Sequence, residues 1–362
     1  MLLKIEKKEK SESEGKGYGK NLSIGGKGGE EKMKSRRKLS VILLVLLLGS
    51  IIPVCGISGM ASSIKEARRY AEEKLLPLDG IAGISQSEDK IIVYIEDEKY
   101  KKRVPDEIKG FKTEIRVIGK IKALIIAESA ESRALSVYPS PVNRTDRVRP
   151  ISGGISCGNP EITAGTLGVV TSDLYILSNA HVLAMDMNAR FLREGTPILQ
   201  PGTYDGGTLD DKVGELYKYI RIRFGNSGLK NPNYADAAIA KLTTDEYLKM
   251  EVLGADNQST YNISGTTDVS VGDMVRKSGR TTGVTQNDVI DTSATVKVYY
   301  TPVKWAIFKD QILVEQPFCA GGDSGSLVDK EGKFVGLVFA GSESIAVVCK
   351  AKYIIEGLGM SI

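Results

Sequence analysis

Two short stretches of the 362-residue sequence contain side chains that could together form a nucleophilic site. One is Gly321-Gly-Asp-Ser-Gly-Ser326, where glycines flank Ser324 and allow a tight turn that directs backbone amides toward one point. The N–H groups of Gly322 and Ser324 could then stabilise an oxyanion. An ordinary hairpin turn has a similar composition, so this stretch alone leaves the chemistry open.

The other stretch, Leu177–Leu183, holds His181, which is the single histidine of the chain. A serine hydroxyl is a weak nucleophile that needs an adjacent base, most often a histidine, and His181 is the one candidate. Asp236 enters an otherwise apolar stretch, although aspartate is seldom buried without a partner. It could orient the histidine and stabilise its protonated form. An inert histidine and an aspartate that ends a turn are the alternative interpretations.

The order of these residues along the chain separates the known arrangements. Histidine, aspartate and serine follow one another here as in the chymotrypsin arrangement. No histidine follows Ser324, which excludes the α/β-hydrolase order for this nucleophile. The subtilisin order needs an aspartate before His181, and no serine motif of that class accompanies one.

Six blocks in order resemble the trypsin/chymotrypsin-like serine peptidases over residues 150–362, above all prokaryotic members with a Gly-Arg-Thr-Thr-Gly block. The blocks are Thr163–Gly168, Leu177–Leu183, Asp236–Ala240, Ser278–Gly283, Gly321–Ser326 and Gly336–Ser342. The resemblance implies an all-β fold of two six-stranded antiparallel β-barrels with the active site between them. It also implies His181 as general base, Asp236 as its orienting group, Ser324 as nucleophile, and Gly322 and Ser324 as oxyanion-hole donors.

The same resemblance indicates which residues contact a peptide or protein substrate. Phe318 stands six residues before Ser324, where the family forms the base of its primary pocket. Because it is neither acidic nor small, we expect a shallow pocket for small or medium apolar side chains. Phe339 and Gly341 would lie on the strand that pairs with the substrate backbone, or that stretch is an ordinary core strand.

Asp323 precedes the nucleophile, and in trypsin this aspartate receives a newly formed N-terminal amine. No activation sequence for such a step is recognisable in this chain. We therefore expect Asp323 to pair with a base from the Gly-Arg-Thr-Thr-Gly region, either Lys277 or Arg280.

The chain has four cysteines, Cys55, Cys157, Cys319 and Cys349. The spacing of Cys319 and Cys349 around Ser324 is close to that of the family's pocket disulfide, and a bond between Cys157 and Cys349 is the alternative. One histidine and scattered cysteines do not form the usual zinc sites, so no metal or other cofactor is expected. A net charge of +4, partly carried by the N-terminal tail, gives no reason to expect a nucleic-acid partner.

The first sixty residues read as a targeting segment. Residues 1–32 are polar and predicted to be disordered, and translation is hypothesised to start at Met33. Residues 33–61 combine a basic cluster, the apolar run Val41–Ile52 and small residues, as in a signal peptide or a single N-terminal membrane anchor. The rest of the chain is then expected outside the cytoplasm, either secreted or associated with the membrane through this one segment.

Residues 62–122 are predicted to form a small α+β unit. Helical spacing covers Ser63–Leu75, and strand-like runs cover Ile81–Ile84, Lys90–Ile95 and Thr113–Ile118. This unit is either a spacer or docking module, or a pro-region that assists folding or blocks the active site.

Residues 123–152 read as an exposed, cleavable linker, and residues 153–362 as the peptidase domain. Beyond Ile155, short apolar runs separated by turns are typical of a barrel or sandwich, with one helix expected at Ala351–Leu358. The predicted function is a serine endopeptidase. A catalytically silent protein that binds peptides on the same fold and a membrane-anchored structural protein are the alternatives.

Overall fold

The computed structural model describes residues 63–126 and 142–362. The predictions for the polar tail, the start at Met33, the signal or anchor segment and residues 127–141 of the linker lie outside these residues. Within the described ranges, no helix is long and apolar enough to cross a membrane.

The N-terminal α+β segment contains the predicted helix and all three predicted strands. Helix α1 (Ile64–Leu75) begins at a capping box in which Ser63 and Glu66 bond each other's backbone amides. The segment also has a 3₁₀ turn at Glu98–Arg103 and two short strands that the sequence pattern did not predict. The strands are β1 (Ile81–Gln86), β2 (Lys90–Ile95), β3 (Glu107–Ile108), β4 (Phe111–Val117) and β5 (Lys122–Ala123).

The first barrel follows and is built from short strands. Its sheet runs β11-β12-β13-β10-β9-β14-β15, β6 adds to β14 in parallel, and β7 pairs with β8. The strands are β6 (Ile151–Gly153), β7 (Ser156–Cys157), β8 (Gly165–Thr166), β9 (Val169–Val170), β10 (Tyr175–Ser178), β11 (Pro197–Leu199), β12 (Lys212–Tyr219), β13 (Ala238–Leu242), β14 (Tyr247–Leu253) and β15 (Thr260–Asn262). Two short helices, α2 (Ala180–Leu183) and α3 (Asn226–Lys230), and two 3₁₀ turns, Thr203–Asp205 and Leu209–Asp211, connect them.

The second barrel is a closed ring of six antiparallel strands. The order β16-β19-β20-β21-β18-β17 returns to β16 through the β16–β17 hairpin, so the ring has no open edge. Its strands are β16 (Met274–Gly279), β17 (Gly283–Tyr299), β18 (Trp305–Glu315), β19 (Leu327–Lys330), β20 (Lys333–Gly341) and β21 (Ile345–Lys350). Helix α4 (Ala351–Leu358) ends the chain's regular structure at the predicted residues. The predicted fold class, all-β with two barrels, is confirmed.

The α+β segment shares a sheet with the second barrel. Strand β1 pairs antiparallel with β17, with Gly83 opposite Val296 and Ile84 opposite Thr295. A Cβ at Gly83 would stand 2.8 Å from the carbonyl oxygen of Thr295, so glycine permits this close pairing. The segment also has its own apolar core, made by α1, β1 and β2 and completed by Ile307 of the barrel.

The chain that enters the first barrel is held at the junction of the two barrels by Arg144. Its Nη1 donates to the carbonyl oxygen of Gly154 at 2.8 Å and to Ser278 Oγ at 2.7 Å, and its Nη2 donates to the carbonyl oxygen of Gly254 at 2.8 Å. Burial lowers the pKa of Arg144 to about 10, and the guanidinium stays charged at neutral pH. One buried side chain therefore fixes the linker end against β-strands of both barrels.

Glu72 of α1 joins the α+β segment to β17 and β18. Its carboxylate accepts hydrogen bonds from Lys309 Nζ at 2.7 Å, Thr295 Oγ1 at 2.8 Å and Arg68 Nε at 2.9 Å. Burial raises the pKa of Glu72, but the bonds from Lys309 and Thr295 and the charge of Arg68 outweigh it and hold the pKa below its usual range. The ionised form is therefore the one that stabilises the fold.

We expect the free energy of unfolding of Glu72→Gln to depend less on pH in the acidic range than that of wild type. The contribution of a carboxylate with a lowered pKa is complete above the unfolded value, about pH 4.5, and is lost as the pH falls toward the folded value. The free energy of unfolding, measured in urea, should therefore fall more steeply below about pH 4.5 for wild type than for the variant. The exposed neighbour Glu73 provides the control Glu73→Gln, which should follow wild type. If the free energies of unfolding of Glu72→Gln and wild type fall in parallel as the pH is lowered, the assignment of a lowered pKa to Glu72 is contradicted.

Candidate active site

His181 is positioned where β10 ends and the single turn of α2 begins. The β10–β13 pairing places Ser178 opposite Ala238, which brings the residues just beyond Ser178 beside those just before Ala238. As a result, His181 Nδ1 lies 2.7 Å from Asp236 Oδ2, and the His181 backbone N–H donates to Asp236 Oδ1 at 3.2 Å. Both side chains are buried. The structure thus brings together the histidine and the aspartate singled out from the sequence.

Asp236 has two further partners that the sequence did not reveal. The hydroxyl of Tyr300 donates to Asp236 Oδ2 at 2.7 Å, and Asn179 Nδ2 donates to the Asp236 carbonyl oxygen at 2.6 Å. Burial raises the pKa of Tyr300 well above its usual range and the charge of Asp236 raises it further, so the phenol keeps its proton and donates it. Tyr300 also meets the His181 ring edge-on, with centroids 5.8 Å apart. Nothing in the Tyr-Tyr pair at the end of β17 signals this role.

Ser324 lies in the turn before β19, on the opposite wall of the cleft. Gly165 separates the two walls, since a Cβ there would stand 2.5 Å from the side chain of Val182 and 3.1 Å from the Ser324 carbonyl oxygen. Gly322 has φ +94° and faces Thr281 so closely that a Cβ would lie 2.4 Å from its hydroxyl oxygen. A side chain at that position would therefore disrupt the turn.

The reactive atoms of His181 and Ser324 are shielded from solvent. His181 is 2% exposed and Ser324 is 1% exposed. Within the part of the chain that the structure describes, neither His181 Nε2 nor Ser324 Oγ has a hydrogen-bond partner. The two atoms are thus enclosed and are not hydrogen-bonded to each other.

Asp323 is held by the hairpin that joins β16 to β17. Its Oδ1 accepts the backbone amides of Thr281 at 2.8 Å and Thr282 at 3.1 Å, and its Oδ2 accepts the Thr282 hydroxyl at 2.7 Å. Lys277 Nζ lies 3.5 Å from Oδ2, and both side chains are fully buried. Burial lowers the pKa of Lys277 while the Asp323 charge opposes that effect. The predicted pairing with Lys277 is confirmed.

Arg280, the other predicted partner, bonds the first barrel instead. Its guanidinium pairs with both carboxylate oxygens of Asp205, with Nε donating to Oδ2 at 2.8 Å. Ser156 Oγ donates to the same oxygen at 2.6 Å, and the Arg280 amide donates to Thr166 Oγ1 at 3.0 Å. Of the two alternatives for Asp323, Arg280 is therefore excluded, because it makes a bidentate bond to Asp205 of the first barrel.

The three residues predicted to bind substrate are in different surroundings: Phe318 packs in the core of the second barrel, and Phe339 packs in the cluster that extends to the first barrel. Phe318 and Phe339 are buried, and the Phe339 ring packs 4.7 Å from that of Phe308. Gly341 ends β20, and a Cβ there would stand 3.5 Å from Cδ2 of Leu124. Strand β5 of the chain itself pairs antiparallel with this end of β20.

The expected disulfides are not formed. Cys157, Cys319 and Cys349 are all free and buried, while Cys55 lies outside the described residues. Cys319 packs into the core of the second barrel, whereas Cys349 belongs to the core cluster that extends to the first barrel. Burial raises the pKa of both thiols to about 12, which leaves them protonated. In residues 63–126 and 142–362, no group of three potential metal ligands is present.

No protein-family model matches the chain, and no curated protein sequence matches it. Solved structures do resemble it. Chymotrypsin of Cellulomonas bogoriensis has a TM-score of 0.42 and 14% identity, over 59% of this chain and 97% of that one. Protease A of Thermobifida fusca has a TM-score of 0.43 and 16% identity, over 58% of this chain and 97% of that one. A glutamic acid specific serine protease has a TM-score of 0.44 and 19% identity, over 59% of this chain and 100% of that one. The chain is similar to these proteases in fold alone.

Proposed function

We propose that the protein is a serine endopeptidase that hydrolyses peptide bonds through an acyl-enzyme. The observation that carries the proposal is the bond of 2.7 Å between His181 Nδ1 and the buried Asp236 Oδ2. A buried carboxylate that accepts Nδ1–H leaves Nε2 free to take a proton. Ser324 stands across the cleft in a glycine-rich turn, which is the position for a nucleophile.

The reaction then proceeds as follows. His181 Nε2 takes the proton of Ser324 Oγ as that oxygen attacks the substrate carbonyl, and Asp236 stabilises the imidazolium that forms. The amides of Gly322 and Ser324 stabilise the oxyanion. His181 next protonates the leaving amine, and water releases the acyl group with His181 acting again as base. The apolar surroundings of Phe318 favour an apolar residue before the cleaved bond.

A catalytically silent peptide-binding protein is the second candidate. The observation that favours it is the absence of a hydrogen bond between His181 Nε2 and Ser324 Oγ in the described structure. Catalytic hydrogen bonds often form only when substrate is bound, which is why the peptidase remains the first choice. Export directed by residues 33–61, followed either by secretion or by attachment through this one segment, remains part of the proposal for both candidates.

Covalent labelling with a fluorophosphonate tests the proposal. We expect the label on Ser324 alone once the cleft is open, no label in Ser324→Ala, and wild-type labelling in the control Ser344→Ala, which changes an exposed serine. Because β5 lies against the substrate strand, labelling is measured again after cleavage between residues 127 and 152. Intact mass and peptide mapping identify the site. A wild-type protein that stays unlabelled before and after cleavage would exclude the peptidase and favour the binding protein.

Tyr300→Phe should lower kcat about tenfold with little change in KM. The substitution removes the hydroxyl that bonds Asp236 Oδ2 and keeps the ring that packs against Phe224 and Phe308. A hydrogen bond to a charged group contributes about 1.5–3 kcal/mol, and about 1.4 kcal/mol corresponds to tenfold in rate.

The matched control is Tyr353→Phe, which removes a similar bond, of 2.6 Å, to Asp310. Both variants should lose comparable stability, but only Tyr300→Phe should lose kcat. Equal kcat for wild type and Tyr300→Phe would show that Tyr300 is a structural residue only.

A further inference from the structure

The segment after β4 runs through the cleft as an added strand. Ala123 pairs with Ala340 and Lys122 with Gly341, antiparallel to the half of β20 that extends beyond β19. On its other side the same strand pairs with Tyr299 of β17. An extended segment that adds to a strand in this way binds through its backbone and places alternate side chains in pockets.

The next residue, Leu124, makes the contacts expected of a substrate at the point of cleavage. Its N–H donates to the Phe339 carbonyl oxygen at 3.1 Å, and its own carbonyl oxygen accepts the Gly322 amide at 2.8 Å. The Gly322 amide is one of the two groups assigned to the oxyanion. The Leu124 carbonyl is therefore polarised where a reacting carbonyl would be.

The Leu124 side chain fills the apolar side of the cleft. It packs against the core cluster that contains Phe318, Cys319 and Val338, and it lies alongside Gly341. Of the three substrate-binding residues inferred from the sequence, Phe318 belongs to this cluster, Gly341 lies beside the leucine, and Phe339 contacts it through its backbone carbonyl. A charged side chain in its place would lose part of its hydration against apolar side chains.

The next two residues lie against the glycines that precede the nucleophile. A Cβ on Gly321 would stand 3.4 Å from the carbonyl oxygen of Ile125, and a Cβ on Gly322 would stand 3.2 Å from Cδ1 of Ile126. Ile126 is 5% exposed. The Leu124–Ile125 bond therefore lies beside the turn that carries Ser324, between the residue bonded to Phe339 and Gly322 and the two isoleucines packed against Gly321 and Gly322.

We propose that the protein cleaves its own Leu124–Ile125 bond, and that the pocket which holds Leu124 selects leucine-like residues in other substrates. This inference rests on the proposed peptidase function. Until the cut segment leaves, it blocks the cleft as a bound inhibitor.

The step balances as an acyl transfer followed by hydrolysis. Ser324 Oγ bonds the Leu124 carbonyl carbon while its proton passes to His181 Nε2. The bond between that carbon and the Ile125 nitrogen breaks as His181 returns the proton to the nitrogen. Water then hydrolyses the ester, which leaves a Leu124 carboxyl group, an Ile125 amine and free Ser324.

The test follows the purified full chain by intact mass and N-terminal sequencing. Wild type should accumulate a fragment that begins Ile-Ile-Ala-Glu at Ile125, with a rate constant unchanged on tenfold dilution. Ser324→Ala should stay intact. Leu124→Asp should cut at least about 100-fold more slowly, because the carboxylate would be placed against apolar side chains. The control Leu209→Asp changes a leucine that is 68% exposed and should cut like wild type.

A peptide series read on processed wild type tests the pocket without any variant of Leu124. Peptides that differ only before the cleaved bond should show the highest kcat/KM with leucine, about 100-fold above aspartate or lysine. A preference for a charged residue would overturn the assignment of the pocket.

Two failures are distinguishable. Self-cleavage is overturned, and the peptidase function kept, if the protein is labelled at Ser324 and cleaves peptides but is never cut at Leu124–Ile125. The same conclusion follows if the cut at Leu124–Ile125 becomes slower on dilution. A protein that neither labels nor is cut overturns both. Folding of Ser324→Ala and Leu124→Asp is checked by circular dichroism, so an unfolded variant is not counted as an uncut one.

Discussion

The requirement that buried carboxylates be satisfied by hydrogen-bond donors governs the architecture of the cleft. The Asp236 carboxylate is fully buried and is bonded by the ring and backbone N–H of His181 and by the Tyr300 hydroxyl. Those donors come from the start of α2 and the residue that follows β17. Because an unpaired buried charge is costly, the positions of two separate elements depend on this one side chain.

The same constraint acts on the other wall. Asp323 receives the amides and hydroxyl of the β16–β17 hairpin and the ammonium group of Lys277. The hairpin that satisfies Asp323 also carries Arg280, which reaches back to Asp205 in the first barrel. The turn that carries Ser324 and the pairing of the two walls are thus fixed by one group of buried polar contacts. Rigid support of this kind is what a site needs if its donors are to be preorganised.

Sheet continuity explains how the N-terminal segment reaches the cleft. Strand β1 extends the second barrel at β17, and β5 returns between β17 and β20. The α+β segment is therefore held on β17 by β1, and its C-terminal strand β5 lies between β17 and β20. An anchored strand has a high effective concentration beside its binding site, so a weak contact suffices to keep the cleft closed. This arrangement supports the blocking role among the alternatives for residues 62–122.

The sequence by itself determined the local elements and the chemistry-bearing residues. Helical spacing placed α1, apolar runs placed β1, β2 and β4, and the single histidine left one candidate base. The glycines around Ser324 indicated one wall of the cleft, because a tight turn requires residues of this kind. The aspartate in an apolar stretch, Asp236, indicated the other wall, because aspartate is seldom buried without a partner.

Only the tertiary structure decided the contacts between residues far apart in the chain. The Tyr300–Asp236 bond, the choice of Lys277 over Arg280 for Asp323, and the free state of Cys319 and Cys349 depend on which faces of the barrels meet. The placement of Leu124 in the cleft depends on the register of a two-residue strand. Such a strand has too few side chains to leave a periodic pattern, and its pairing is set by backbone hydrogen bonds that any sequence can make.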